Sequence, residues 1–99
     1  MWGWWYNQLA RRDQHGELLF MNYGYYCPQS IAIKLKSEDE RYRQPIQLYE
    51  YVVNNLDLHE KNVVEIGCGR GGGATYLARY HGPISYTGID LSKSAINWC

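Results

Sequence analysis

The chain has 99 residues, which is enough for one domain at most, and its ten basic and ten acidic side chains cancel to a net charge of zero. This balance gives no electrostatic case for nucleic acid, which proteins bind through basic patches, and it predicts a neutral cytoplasmic protein. No run of about 18 apolar residues predicts a membrane span. Three cysteines without a CxxC pair favour reduced thiols and give no support for a zinc site or any other metal centre.

Aromatic side chains are the unusual feature of the composition, with ten Tyr and four Trp against a single Phe. Much of this excess precedes residue 52, and side chains with an apolar body and a polar tip suit a lid or a substrate wall. Residues 2–14 are compatible with a short amphipathic helix, and turn signals follow over residues 16–36.

A helix is predicted to begin at Ser37, because Ser37 and Glu40 have the spacing of a capping box. Pro45 predicts either a break or kink at that point or the first turn of a second helix. The helix is expected to end near Leu58. Apolar side chains recur at spacings of three and four and predict one buried helical face: Ile46, Tyr49, Val52, Val53 and Leu56.

The rest of the chain predicts a strand–helix–strand unit. A β-rich run at 62–66 is followed by a glycine loop at 67–73, a helical stretch at 74–80 and a second strand at 85–90. Ser92 is placed to cap a third helix. This order is the βαβ unit of a parallel sheet. We therefore predict an α/β fold with a helical N-terminal and lid segment at 1–60 and the start of a cofactor-binding domain at 61–99.

The glycine spacing of the loop matches that of dinucleotide-binding sites, but this match alone is weak evidence for a cofactor site. Two acidic residues make the interpretation more specific. Glu65 lies inside the apolar strand, where a carboxylate is costly unless hydrogen-bonded. It either faces water or caps backbone, or it holds loop amides or a ligand's amino group. Such an acid would repel the anionic pyrophosphate of a dinucleotide, but it would attract the positive ammonium and sulfonium groups of a cofactor that carries them. Asp90, 23 residues after Gly67, has the offset of an acid that binds ribose hydroxyls, the alternative being a helix cap.

Residues 63–71 (Val-Val-Glu-Ile-Gly-Cys-Gly-Arg-Gly) resemble the first motif of class I S-adenosylmethionine-dependent methyltransferases, and residues 86–92 resemble their second. The resemblance implies a Rossmann-like class I methyltransferase fold, present here as an N-terminal fragment, with S-adenosyl-L-methionine as cofactor. It implies that Asp90 holds the ribose, with Leu91 beside it. It also implies that loop residues wrap the methionine end: Gly67, Cys68, Gly69 and Gly71.

A narrower resemblance runs from about Phe20 to Cys99. Residues 20–26, 71–77 and 85–99 are similar to the phthiotriolone/phenolphthiotriolone dimycocerosate methyltransferase type, and the triple glycine followed by Ala-Thr-Tyr-Leu is the most telling part. Those proteins are similar to enzymes that O-methylate long lipids. The resemblance implies a small or lipid-like methyl acceptor with a hydroxyl group, but the particular acceptor does not transfer with it.

The tyrosine-rich segment at 22–26 is predicted to fold over the cofactor as a lid, with Tyr23 and Tyr25 as its contacts. An aromatic face attracts a sulfonium cation, and a phenol can donate to the methionine carboxylate. The alternative is that these tyrosines pack on the following helix, near Tyr42 and Tyr49.

No catalytic base is assigned. Among the histidines, which are candidates only by residue type, His15 has no assigned place. His59 and His81 lie next to turns at the wrong strand ends and are predicted to be surface residues.

A methyltransferase sheet of this kind needs five or more strands, and two are predicted, so we expect residues 1–99 alone to be inactive. Two alternatives stay open. The first is a fragment of an NAD(P)-dependent oxidoreductase, against which Glu65 and the short helix after the triple glycine argue. The second is a non-catalytic remnant that binds a partner protein through its aromatic N-terminus.

Overall fold

The computed structural model describes residues 19–20, 22–26 and 33–97. They form a 3₁₀ helix (Ser37–Tyr42), α1 (Arg43–Val53), β1 (Asn62–Ile66), α2 (Gly72–His81), β2 (Ser85–Ile89) and the short α3 (Lys93–Ile96). The described residues divide into two compact units, 22–26 with 33–56 and 19–20 with 57–97. The helix predicted for residues 2–14 lies outside the described part, and the domain boundary at residue 60 stays a prediction.

The helical region begins at Ser37 as predicted, but the capping box is wrong. Lys36 is the N-cap and makes no side-chain capping bond. The Glu40 carboxylate does not reach back along the chain, because it accepts two hydrogen bonds from the Arg43 guanidinium at 2.8 and 2.6 Å. These bonds hold the pKa of Glu40 below its usual value. The first turn is a 3₁₀ helix, in which the Asp39 N–H donates to the Lys36 carbonyl at 2.9 Å.

Pro45 lies in the first turn of α1, so the second of its two predicted roles is the correct one. A proline is tolerated there because first-turn N–H groups have no partner within the helix. Ile46 follows it and is only 1% exposed, whereas Val52 of the same predicted face is 69% exposed.

The end of α1 differs from its prediction. The helix ends at Val53 and not near Leu58, because the chain turns through Asn54 and Asn55, and Asn55 adopts a left-handed φ of 71°. Leu56 therefore lies outside the helix and is 62% exposed. The predicted apolar face is thus shorter than the spacing of its side chains indicated.

The two strands pair in parallel, with Asn62 opposite Ser85 and Ile66 opposite Ile89. The helix α2 connects them and packs against β2. The predicted βαβ unit is confirmed, and the second strand ends one residue earlier than predicted.

Both helices of this unit have clear ends. The helix α2 begins at Gly72, two residues earlier than predicted, after Gly71 in a left-handed conformation, and it stops at the left-handed Gly82. Ser92 is the N-cap of α3, and its hydroxyl accepts the Ala95 N–H at 3.3 Å. The predicted serine cap is confirmed.

The two faces of the sheet differ in exposure. One face carries half-buried side chains, among them Glu65 and Tyr86. The other face is open and carries three exposed apolar side chains near its carboxyl end, since Val64 is 62%, Ile66 85% and Ile89 51% exposed. Parallel sheets normally bury both faces, so this face has the composition of a surface meant to be covered. None of the described helices is long and apolar enough to cross a bilayer.

Candidate functional site

A glycine loop leaves the carboxyl end of β1 and leads into α2. Its backbone takes left-handed φ values at Gly67 (80°), Gly69 (57°) and Gly71 (82°), which residues with a Cβ rarely adopt. A Cβ built on Gly67 would have no other heavy atom within 4 Å. At Gly67 the loop therefore presents bare backbone to open space, which is what close approach of a ligand requires, whereas Gly71 is buried.

The start of the loop is fixed to the neighbouring strand by backbone hydrogen bonds. The N–H groups of Gly67 and Cys68 both donate to the Ile89 carbonyl, at 2.6 and 3.2 Å. The Gly71 N–H then donates to the Cys68 carbonyl at 3.0 Å, which closes the turn. These three amides are directed at the protein's own oxygens and not at a ligand.

Asp90, at the end of β2, fixes the next loop amide. Its Oδ2 accepts the Gly69 N–H at 2.7 Å, and its Oδ1 accepts the Ser92 N–H at 2.8 Å. Asp90 is not the N-cap of the following helix, because Ser92 takes that place, and its bond to the Ser92 N–H fixes the residue that caps. A carboxylate has about four lone-pair sites, so two ribose hydroxyls can still be accepted. The ribose role stays a prediction.

Cys68 anchors the loop through its side chain. The residue is 6% exposed, and a Cβ at Gly88 would lie only 2.7 Å from the Cys68 Sγ. The thiol thus occupies the place of a side chain at position 88 in β2. The sequence interpretation missed Gly88, although a glycine inside a strand often marks such a close approach.

Glu65 lies on the half-buried face of β1. Its Oε2 accepts a hydrogen bond from the Tyr86 hydroxyl at 2.8 Å. The pKa of Tyr86 is raised, mainly by burial and to a smaller extent by the neighbouring Glu65 carboxylate. The phenol therefore remains a protonated donor. The sequence interpretation did not single out Tyr86, since its partner depends on the strand register.

The residues upstream of the tyrosine-rich segment reach the start of α2. Phe20 is 9% exposed, and a Cβ at Gly72 would lie 2.8 Å from the Leu19 carbonyl oxygen and 3.0 Å from the Phe20 ring. Gly72 is the third glycine of the dinucleotide-type spacing Gly67-x-Gly69-x-x-Gly72. A glycine is needed there because Leu19 and Phe20 pack against it.

Arg70 and Leu91, two further residues of this unit, differ strongly in solvent exposure. Arg70, within the loop, is only 3% exposed, which is rare for an arginine unless its charge is compensated. Leu91, expected beside the ribose, is 99% exposed. It thus offers an apolar side chain next to Asp90.

The tyrosine-rich segment belongs to the other compact unit and is docked on the start of α1. The Asn22 Oδ1 accepts the Gly24 N–H at 2.7 Å, and the Tyr25 N–H donates to the Gln44 carbonyl at 2.9 Å. Gly24 has a φ of 79°, and a Cβ there would lie 2.8 Å from the Gln44 Cβ. The glycine thus serves close packing.

The tyrosines of this segment have different surroundings. The Tyr25 ring stacks on Tyr51 of α1 with centroids 4.7 Å apart, so it packs on the following helix. Tyr23 is fully exposed. The lid stays a prediction, and Tyr23 is now its stronger candidate.

The two histidines of the described residues lie before β1 and at the end of α2. The side chain of His59 is 69% exposed, as predicted for a surface residue. His81 is half-buried, because its ring meets Tyr76 edge-on at 6.1 Å, so its prediction as a plain surface residue is wrong. His15 lies outside the described residues.

Comparison with known proteins finds methyltransferases that are similar to this chain. The chain is 44% identical over 94 residues, 95% of its length, to a fatty-acid O-methyltransferase of Mycolicibacterium smegmatis. It is 38% identical over all 99 residues to a phthiotriol/phenolphthiotriol dimycocerosates methyltransferase of Mycobacterium tuberculosis. The resemblance to these methyltransferases is confirmed. A probable second enzyme of that name in Mycobacterium ulcerans is 39% identical over 99 residues.

The match is long in this chain but short in its methyltransferase relatives. The chain spans about a third of their length, 34% of the fatty-acid enzyme and 37% of the Mycobacterium tuberculosis enzyme. No protein-family profile and no solved structure matches it. Because the second match covers the whole chain, it includes the glycine loop and both acids.

Proposed function

We propose that this chain forms part of an S-adenosylmethionine-dependent methyltransferase with a Rossmann-like class I fold. The observation that carries the proposal is the 2.7 Å hydrogen bond from the Gly69 N–H to Asp90, which joins a glycine loop to an acid at the ends of two neighbouring parallel strands. Ligands of α/β sheets bind outside the carboxyl ends of the strands. The names of the relatives support methyl transfer.

The charges at this end of the sheet favour S-adenosylmethionine over a nicotinamide dinucleotide. A dinucleotide brings a pyrophosphate, which such loops bind through amides aimed at the ligand. The amides of Gly67, Cys68 and Gly71 are bonded to backbone carbonyls, and the Glu65 carboxylate belongs to the strand that leads into the loop. Asp90 does not discriminate, because dinucleotide sites also use an acid for the ribose. When bound, S-adenosylmethionine supplies a methyl group on a sulfonium, and its ammonium and ribose hydroxyls suit acidic partners.

Different residues of the chain would bind different parts of the cofactor. The bare backbone of the loop, through Gly67, Cys68, Gly69 and Gly71, would wrap the methionine end. The lone pairs of Asp90 beyond its two backbone bonds would accept the ribose hydroxyls, with Leu91 as an apolar neighbour. Transfer from a sulfonium mainly requires the acceptor oxygen to be held in line with the methyl group.

The methyl acceptor is proposed to be small or lipid-like and to carry a hydroxyl group. Two relatives are named for a fatty acid and for phthiotriol dimycocerosates. A net charge of zero also disfavours nucleic acid as the substrate. No residue of this chain is identified as the general base.

Cofactor binding tests the proposal directly. The protein for this test is the natural gene product if its reading frame continues past Cys99. Otherwise it is a chimera in which this chain replaces the matching third of the Mycolicibacterium smegmatis enzyme, and either is called here the complete-length protein. Calorimetry should detect binding of S-adenosylhomocysteine and none of NADH. The opposite pattern would establish the oxidoreductase alternative, and binding of neither would favour the non-catalytic remnant.

Residues 1–99 expressed alone are expected to bind S-adenosylhomocysteine poorly or not at all and to methylate no acceptor. The reason is the open apolar face of the two-stranded sheet, where Ile66 is 85% exposed. Thermal melts and calorimetry measure both properties. A sharp cooperative melt together with micromolar binding would contradict the expectation.

Tyr23→Leu and Tyr25→Leu are expected to differ in what they lose. Tyr25→Leu removes the stacking on Tyr51 and should lower the unliganded melting temperature, since such pairs contribute roughly 0.5–1.5 kcal/mol. Tyr23→Leu removes a fully exposed ring and should leave that melt unchanged while weakening S-adenosylmethionine by roughly 0.5–2 kcal/mol. If both variants keep normal cofactor affinity and turnover, the segment is packing only and the lid is wrong.

A further inference from the structure

We propose that Tyr86 is a positioning residue that holds the Glu65 carboxylate ready for the ammonium group of the cofactor. The geometry behind it is the 2.8 Å hydrogen bond from the Tyr86 hydroxyl to the Glu65 Oε2. The inference rests on the proposed function, because it assumes a ligand with an amino-acid end.

The strand register explains how these two residues meet. Glu65 lies opposite Gly88 and Tyr86 lies opposite Val63, so Tyr86 is one side-chain step back on the same face of the sheet. Two residues along a strand and one strand across amount to offsets of roughly 6.6 and 4.8 Å. A phenol reaches that far, whereas Ser or Thr does not, and Phe carries no donor.

The space next to Glu65 restricts where its carboxylate can turn. Gly88 has no side chain, and the Cys68 Sγ fills that position, 2.7 Å from where a Cβ would stand. Tyr86 precedes Gly88 by two residues on β2 and thus approaches Glu65 from the side away from the loop, and the Sγ of the loop residue Cys68 lies against Gly88. Glu65 precedes the loop residue Gly67 by two positions, so it lies at the end of β1 from which the loop leaves.

The chemistry of the pair suits positioning and not proton transfer. The pKa of Tyr86 is raised by burial and by Glu65, so the hydroxyl stays protonated and always donates. One such bond fixes one oxygen and the rotamer of a flexible side chain. A carboxylate has about four lone-pair sites, so it can accept an ammonium in addition. Because the side chain is ordered before binding, less conformational freedom is lost when the ligand arrives.

A purely structural role makes a different prediction, which two ligands can separate. S-Adenosylhomocysteine carries the ammonium, whereas 5′-methylthioadenosine keeps the adenosine and the sulfur but lacks the amino-acid end. If the pair serves the ammonium, losing the phenol hydroxyl weakens only the first ligand. If the pair only stabilises the strand, both ligands are weakened together or neither is.

The test is Tyr86→Phe in the complete-length protein, with both dissociation constants measured by calorimetry. We expect the Kd of S-adenosylhomocysteine to rise roughly three- to tenfold and that of 5′-methylthioadenosine to stay within about twofold. Tyr51→Phe is the matched control, since it removes a hydroxyl from an exposed tyrosine and keeps the ring that stacks on Tyr25. It should change neither constant.

A double-mutant cycle with Glu65→Gln shows whether Tyr86 acts through Glu65. In the Glu65→Gln background, Tyr86→Phe should add no further loss. Equal loss for both ligands, no loss for either, or an additive loss overturns the inference. If Tyr86→Phe does not fold, Glu65→Gln alone must weaken only S-adenosylhomocysteine, and an equal effect on both ligands overturns it. Failure of the wild type to bind S-adenosylhomocysteine would instead overturn the proposed function.

Discussion

Gly69→Val is expected to abolish detectable S-adenosylhomocysteine binding in the complete-length protein while the fold survives. Gly69 has a left-handed φ of 57°, and its N–H donates to Asp90 at 2.7 Å. A branched side chain there is strained by roughly 1–3 kcal/mol and stands where ligand and backbone would meet. Calorimetry measures the binding, and circular dichroism and thermal melts establish that the variant is folded.

The matched control for this substitution is Gly82→Val. Gly82 has nearly the same φ, 59°, but lies at the opposite end of α2, where a Cβ would meet the His59 ring at 3.2 Å. The backbone strain is therefore comparable, while the cofactor loop is untouched. Gly82→Val should lower the melting temperature and retain binding. Normal binding by Gly69→Val would mean that this loop is not the cofactor loop.

Asp90→Ala should weaken S-adenosylmethionine and S-adenosylhomocysteine by roughly 1–3 kcal/mol, or about five- to 150-fold. The carboxylate would lose its ribose hydroxyls, and it would also release the Gly69 and Ser92 amides that it accepts at 2.7 and 2.8 Å. Calorimetry on the folded complete-length variant measures the change. Unchanged affinity would refute the ribose role.

The two losses in Asp90→Ala can be told apart with a second ligand. An S-adenosylhomocysteine analogue without the 2′ and 3′ hydroxyls has nothing for Asp90 to accept, so any remaining effect of the substitution comes from the released loop. Asp57→Ala is the matched control, because Asp57 likewise accepts an N–H two residues on, from His59 at 2.9 Å, before β1 begins. It should leave both affinities unchanged. If the analogue and the natural ligand lose equally, Asp90 acts only through the loop.

The sequence by itself determined the order and kind of the elements in the βαβ unit. Local chemistry was sufficient there, because a β-rich run, a glycine loop and a Gly-Pro stop each specify the conformation of their own few residues. The first strand was predicted with its observed bounds of Asn62–Ile66, and the Ser92 cap was predicted from one residue type in one position. The motif that resembles methyltransferases is also local, and the names of the relatives confirmed the resemblance to methyltransferases.

Local patterns were misleading in the helical segment before the sheet. Ser37 and Glu40 have capping-box spacing, yet Glu40 pairs with Arg43, and the turn tightens into a 3₁₀ helix. The apolar spacing ran on past Val53, but Asn55 turned the chain out of the helix. In both places several conformations satisfy the same short pattern, and contacts with neighbouring residues chose between them.

Only the tertiary structure decided how the site is held together. The bonds from Gly69 to Asp90 and from Tyr86 to Glu65 join residues 21 positions apart, and the close approach of Cys68 to Gly88 is of the same kind. Each depends on the parallel register of β1 and β2, because a shift of one residue would turn every side chain of a strand to the other face. The sequence could name the acids and the glycines, but which atoms they bond was settled by that register.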